Sequence, residues 1–183
     1  MKLLRLLAVL FFALQIFSAQ PKNILFVGNS YLYYNNSVHN YVEPMMREFY
    51  GSDIETKLSA IGGSKLYHHN IDHLLNPINL NLNQQIDLLI MQGGSTEVIS
   101  ITNQKKFIQT AKEYSAKAQK LGVKTALYMT HAFTEADSRF EPNLIRKIAQ
   151  TYFIAGKESN SIVIPVGLAY EIAYKEKENI KLH

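Results

Sequence analysis

Asn23-Ile24-Leu25-Phe26-Val27-Gly28-Asn29-Ser30 is the stretch whose reading decides the fold. A short apolar run without polar alternation, bounded by a glycine, suits a strand buried on both faces, as strands of parallel sheets are. Working outward, the chain alternates strand-like and helix-like segments. From Val38, Tyr41, Val42, Met45, Met46 and Phe49 recur at helical spacing, and Pro44 sets the regular start of that helix near Glu43. Ile54–Ile61 is a second strand, and Ile86-Asp87-Leu88-Leu89-Ile90-Met91 a clearer third. Phe107, Ala111, Tyr114, Ala118 and Leu121 line one helix face that Gly122 ends, and Val123–Met129 is the fourth strand. Pro142 opens a further helix with the stripe Leu144, Ile145, Ile148, Ala149 and Tyr152, which ends at Gly156. Ser161–Ile164 is the fifth strand, and Gly167–Tyr174 begins a last helix. Strand and helix in alternation predict an α/β domain with a parallel sheet.

Such sheets place their chemistry in loops at the carboxyl ends of strands. Four of these loops are polar or glycine-rich: Gly28-Asn29-Ser30, Gly62-Gly63-Ser64, Gln92-Gly93-Gly94-Ser95-Thr96 and Thr130-His131. A serine between a buried strand and a helix sits where free backbone N–H groups favour developing negative charge, which suits a nucleophile; the same position also suits a plain helix cap. Neither glycine pair belongs to a phosphate-loop or dinucleotide-binding pattern, so nucleotide binding is not expected.

Composition narrows the chemistry. The 183 residues are 47% apolar and 19% charged, enough for one sizeable core in a single domain and incompatible with disorder. The formal charge is +4, and removing Lys2 and Arg5 with the first nineteen residues leaves +2, too little for a nucleic-acid footprint. With no cysteine, hydrolysis must rest on Ser, His, Asp, Glu or a metal. Residues 1–19 read as an export signal: Lys2 and Arg5 form a positive start, Leu6–Phe17 is almost unbroken apolar sequence, and Ser18-Ala19 offers a cleavage point. Residues 20–183 then form the mature domain, secreted or periplasmic, with no membrane span after cleavage; an uncleaved anchor is the alternative.

The spaced loops resemble the blocks of the SGNH, or GDSL-type, hydrolases. Ile24–Tyr31 is similar to their first block, with Asn29 in place of the usual Asp. Ser59-Ala60-Ile61-Gly62-Gly63-Ser64 resembles the second block, and Asp87–Ser95 lies where the third belongs. The resemblance implies a three-layer α/β/α sandwich with a five-stranded parallel sheet of flavodoxin-like topology. It implies an esterase that needs no metal or organic cofactor and acts on a small-molecule or carbohydrate ester, with O-acetyl groups one candidate. Ser30 would be the nucleophile and, through its own N–H, one oxyanion donor; Gly63, or Gly62 if the register slips, would be another. The third donor, usually an Asn, is absent, so Gln92 or Ser95 must stand in.

The family's late Asp-x-x-His block, which supplies base and orienting carboxylate, has no counterpart here. The chain ends Ile180-Lys181-Leu182-His183, similar to the residues preceding that block, which reads as a C-terminally truncated member. His131, with Asp137 or Glu135 to orient it, could substitute as base; the alternative is a histidine lining the cleft. His69 and His73, beside His68, have the spacing of two metal ligands on one helix face, but no carboxylate-rich motif accompanies them and no metal is expected. His39 carries no signal. Tyr31, Tyr33, Tyr34 and Tyr67 near the proposed site would serve as a sugar platform or complete the core. Two other readings stay open: a catalytically silent binding protein that keeps the cleft without the proton shuttle, and a flavodoxin-like redox carrier. The sequence leaves oligomeric state open.

Overall fold

The computed structural model describes residues 20–51 and 53–176. Residues 1–19, read above as an export signal, and His183 lie outside the described residues. Five strands, β1 (Asn23–Gly28), β2 (Glu55–Ala60), β3 (Leu88–Gln92), β4 (Lys124–Tyr128) and β5 (Ile162–Ile164), form one sheet in the order β2-β1-β3-β4-β5. Every neighbouring pair is parallel. The helices are α1 (Ser30–Tyr33), α2 (Val38–Tyr50), α3 (Ile71–Leu74), α4 (Ile101–Lys120), α5 (Leu144–Ser159) and α6 (Val166–Glu176), with short 3₁₀ turns at Leu66–His68 and Pro77–Leu80.

β1 is buried at all six positions, as its unbroken apolar run predicts. Its residues alternate between two cores. Leu25 and Val27, with Leu89, Met91 and Leu127, face Phe107, Ala111 and Ala118 of α4 and Ile148, Tyr152 and Ala155 of α5. Ile24 and Phe26, with Ile90 and Ala126, face Val38, Val42 and Met46 of α2. These are the three layers expected, and each large side chain fully buried in them contributes about 1.5–3 kcal/mol.

Two helix boundaries differ from expectation. α2 begins at Val38 and carries Pro44 inside it. Pro44 and Asn40, whose carbonyl loses its partner to the ring, both face solvent, where an orphaned acceptor costs least. α5 runs through Gly156 to Ser159. That glycine serves packing: a Cβ there would lie 2.6 Å from Val163 Cγ2 and 3.0 Å from the Ser161 carbonyl, so its absence lets α5 seat on β5. Gly122 ends α4 as predicted, in the left-handed region at φ 79°.

β1 lies between β2 and β3, the point at which strand order reverses. The loops after these three strands therefore open together at one edge of the sheet.

Candidate active site

The site is built around Asn29, which closes β1 and caps α1. Its backbone N–H donates to Gln92 Oε1 at 3.0 Å, its Nδ2 donates to the Ser64 carbonyl at 3.0 Å, and its Oδ1 accepts the Tyr31 N–H at 3.2 Å. One side chain thus ties the loops after β1 and β2, while its backbone ties to β3. A carboxylate at position 29 would set an acceptor against the Ser64 carbonyl, so the amide is what this geometry requires. Gly28 is equally constrained, because a Cβ would fall 2.6 Å from Gln92 Oε1.

Ser30 is the first residue of α1 and half-buried. α1 is a single turn, so its dipole is slight, and the electrostatic advantage expected from a helix N-terminus reduces to free backbone N–H groups. Ser30, Gly63, Ser64, Gly94, Ser95 and Arg139 line one cavity of about 400 Å³. Gly63 adopts φ 68°, a left-handed conformation that glycine accepts without strain, and Gly62 does not line this cavity. Gly94 lets the third loop close on the second: a Cβ would lie 2.9 Å from the Ser64 carbonyl.

Of the two stand-ins for the third donor, Ser95 lines the cavity and Gln92 does not. Gln92 is 1% exposed, accepts from Asn29 N and donates from Nε2 to the Gly93 carbonyl. It is a crosslink between strand ends, with both amide atoms engaged by backbone groups.

Neither a protein-family model nor a curated protein sequence matches the chain. Solved structures do match. The acetyl xylan esterase AlAXEase superposes with a TM-score of 0.63 at 16% identity, over 85% of this chain and 83% of that one. AlinE4, an SGNH-hydrolase family esterase, gives 0.62 at 15% identity over 90% and 85%. The psychrotrophic esterase EstA from Pseudoalteromonas sp. gives 0.56 at 14% identity over 78% and 76%. The fold is that of the SGNH hydrolases.

On this SGNH framework His131 occupies a second cleft, of about 490 Å³, next to the Ser30 cavity. Tyr31 and Tyr34 border both spaces. The His131 ring stacks on Tyr170 (centroids 4.9 Å, 19°) and lies 4.7 Å from the Tyr31 ring. Its Nδ1 meets the Ala132 carbonyl at 2.9 Å, an arrangement that makes Nδ1 the donor and leaves Nε2 as an acceptor. Asp137 grips Arg139 through two side-chain hydrogen bonds, which hold its pKa down at about 2.

Beneath the Ser30 cavity lie two titratable groups that sequence reasoning missed or misplaced. His69 is 5% exposed, and its Nε2 lies 3.1 Å from Ser64 Oγ, which also reaches the Gly28 carbonyl at 3.3 Å. Burial lowers its pKa, against the raising effect of the hydrogen bond to Gly28. His69 and His73 do not share a helix face. The chain makes a 3₁₀ turn at 66–68 and restarts as α3 at Ile71, so His69 turns inward while His73 meets Asn79. No cluster of three metal-ligating side chains occurs among the described residues. Glu97, 1% exposed, accepts the backbone N–H groups of Gly94 and Leu66 on Oε2, while its Oε1 has no partner. Burial raises its pKa, outweighing those hydrogen bonds. An isolated Glu in a polar loop gave no signal of this role. His39 also has a pKa lowered by burial, which Glu43 partly offsets.

Proposed function

We propose that this chain is an exported serine esterase in which Ser30 forms an acyl-enzyme. The observation that carries the reading is the convergence of Ser30, Gly63 and Ser95 on one cavity, with Gly94 and Asn29 holding the three loops together. In this mechanism the Ser30 Oγ attacks the ester carbonyl while its proton passes to a base. The carbonyl oxygen becomes an oxyanion held by the N–H groups of Ser30 and Gly63 and by the Ser95 hydroxyl. The tetrahedral intermediate collapses, the alcohol leaves with the proton, and water hydrolyses the acyl-Ser30 ester by the same steps. His131 is our candidate base: its acceptor Nε2 is set by the Ala132 carbonyl, and its ring packs on the residue next to Ser30. Our candidate acyl group is acetyl, by analogy with the acetyl xylan esterase that shares the fold. Export rests on the signal-like residues 1–19; among the described residues no helix is long and apolar enough to cross a membrane.

The second reading, a catalytically silent relative that keeps the cavity for binding, is favoured by one observation. His131 lines the adjoining cleft and packs on Tyr31, and a serine–histidine contact beside the Ser30 cavity is made by Ser64 and His69. Hydrolysis of p-nitrophenyl acetate and labelling of Ser30 by a fluorophosphonate separate the two. The esterase reading expects both, and expects Ser30→Ala to abolish them. Absence of turnover and of label in folded protein overturns it.

A further inference from the structure

We propose that Arg139 makes the Ser30 cavity selective for esters that also carry a carboxylate. The proposal rests on the esterase reading for its catalytic arm and has a binding arm that does not. Arg139 lies in the loop between β4 and α5 and lines the cavity with Ser30. Its guanidinium is fixed on two sides. Nε donates to Asp137 Oδ1 at 2.9 Å and Nη2 to Oδ2 at 2.6 Å, and the plane lies 4.0 Å from the centre of the buried Phe133 ring. The Arg139 backbone N–H also donates to Asp137 Oδ1, at 2.8 Å, which holds the carboxylate in place.

A guanidinium has five N–H donors, and Asp137 takes the side-on pair. That leaves the end-on pair, one N–H from each Nη, which is itself a bidentate match for a carboxylate. Because the side chain is already held, little rotamer entropy is lost when a ligand engages it. The cavity lining contains no carboxylate; Asp137 beside it is already engaged by Arg139, and Glu97 is buried and turned to backbone N–H groups. Tyr31, Ser95 and Arg139 line the same cavity, with Ser95 hydrogen-bonded to the Tyr31 hydroxyl. A neutral ligand oxygen can use one of these donors; a carboxylate uses the fork whole.

The test compares matched ester pairs: 4-acetoxybenzoate with its methyl ester for a charge on the alcohol side, and the mono-p-nitrophenyl ester of adipate with p-nitrophenyl hexanoate for the acyl side. Arg139→Gln is expected to lower the ratio of kcat/KM for the anionic over the neutral ester by about 10- to 100-fold in at least one pair, mainly through KM. The double variant Arg139→Gln, Asp137→Asn removes the carboxylate that Arg139 would otherwise leave uncovered, and should show the same loss. An equal fall on both members of each pair, or no change in either ratio, overturns the proposal. Should the wild type hydrolyse none of the four esters, the esterase reading fails on its own. Calorimetric titration with 4-hydroxybenzoate against methyl 4-hydroxybenzoate then decides about Arg139: tighter binding of the anion, lost in Arg139→Gln, supports the site, and equal affinity refutes it.

Discussion

Replacing Gln92 by leucine tests whether this residue is a structural crosslink or an oxyanion donor. The two side chains are close in size, so the substitution leaves little void and removes both polar atoms. Two backbone groups then lose partners where Gln92 is 1% exposed: the Asn29 N–H, which donates to Oε1 at 3.0 Å, and the Gly93 carbonyl, which accepts from Nε2. Each buried group left unpaired costs about 1–3 kcal/mol, so the pair costs about 2–6 kcal/mol. For a domain of this size 1 kcal/mol shifts the midpoint by about 2–4 °C, so Tm should fall by roughly 5–20 °C. Thermal unfolding followed by circular dichroism measures this, and ester hydrolysis well below the transition measures the rest. A Tm within about 2 °C of wild type, combined with a loss of turnover on the order of 10²–10³, would refute the crosslink and restore Gln92 as an oxyanion donor.

Stability should fall as pH drops through the ordinary histidine value of 6.5, because the unfolded chain takes up a proton there that buried His69, with its lowered pKa, refuses. His69→Gln should flatten that slope in urea titrations between pH 7.5 and 5. Glu97 works in the opposite sense: its raised pKa stabilises the fold below the ordinary carboxylate value of 4.5, and that contribution fades as pH rises through the folded value. A Glu97→Gln variant should therefore gain stability relative to wild type toward neutral pH in the same titrations. Gly94→Ala would set a Cβ 2.9 Å from the Ser64 carbonyl, so kcat on p-nitrophenyl acetate should drop while stability falls by about 1–3 kcal/mol. Phe107→Ala, at a fully buried position between α4 and the sheet, should cost about 3–5 kcal/mol in the urea midpoint.

The central strands β1 and β3 were legible because each is a contiguous apolar run, the mark that burial on both faces leaves, whereas the edge strand β2 mixes polar and apolar residues. Helix ends were less so. Gly156 reads locally as a stop, and only the neighbouring Val163 reveals that its missing Cβ serves close packing. Pro44 reads as a helix start, and only the exposure of Asn40 explains why the helix tolerates it. In the site, the loops that carry Ser30, Gly63 and Ser95 could be picked out because loops after parallel strands share one edge of the sheet, while the roles of these residues came from the resemblance to the SGNH blocks, which left Gly62 open beside Gly63 and Gln92 beside Ser95. Gln92 could not be assigned, since a polar residue at a strand end reads alike whether it faces a cavity or the next strand. Arg139 and Asp137 lie in an irregular stretch with no periodicity, and their partnership emerges only when the loop is folded over Phe133. The place of Tyr31 at the border of the Ser30 cavity and the His131 cleft is a matter of side-chain packing.

The central position of β1 also governs how the protein reaches its native state. β1 must find partners that begin at Glu55 on one side and Leu88 on the other, so its pairing closes long loops. Distant pairings of that kind are slow compared with helix formation. The helices can therefore form while the three cavity loops are still apart, and a refolding chain should recover its ellipticity before its nucleophile has a pocket to work in.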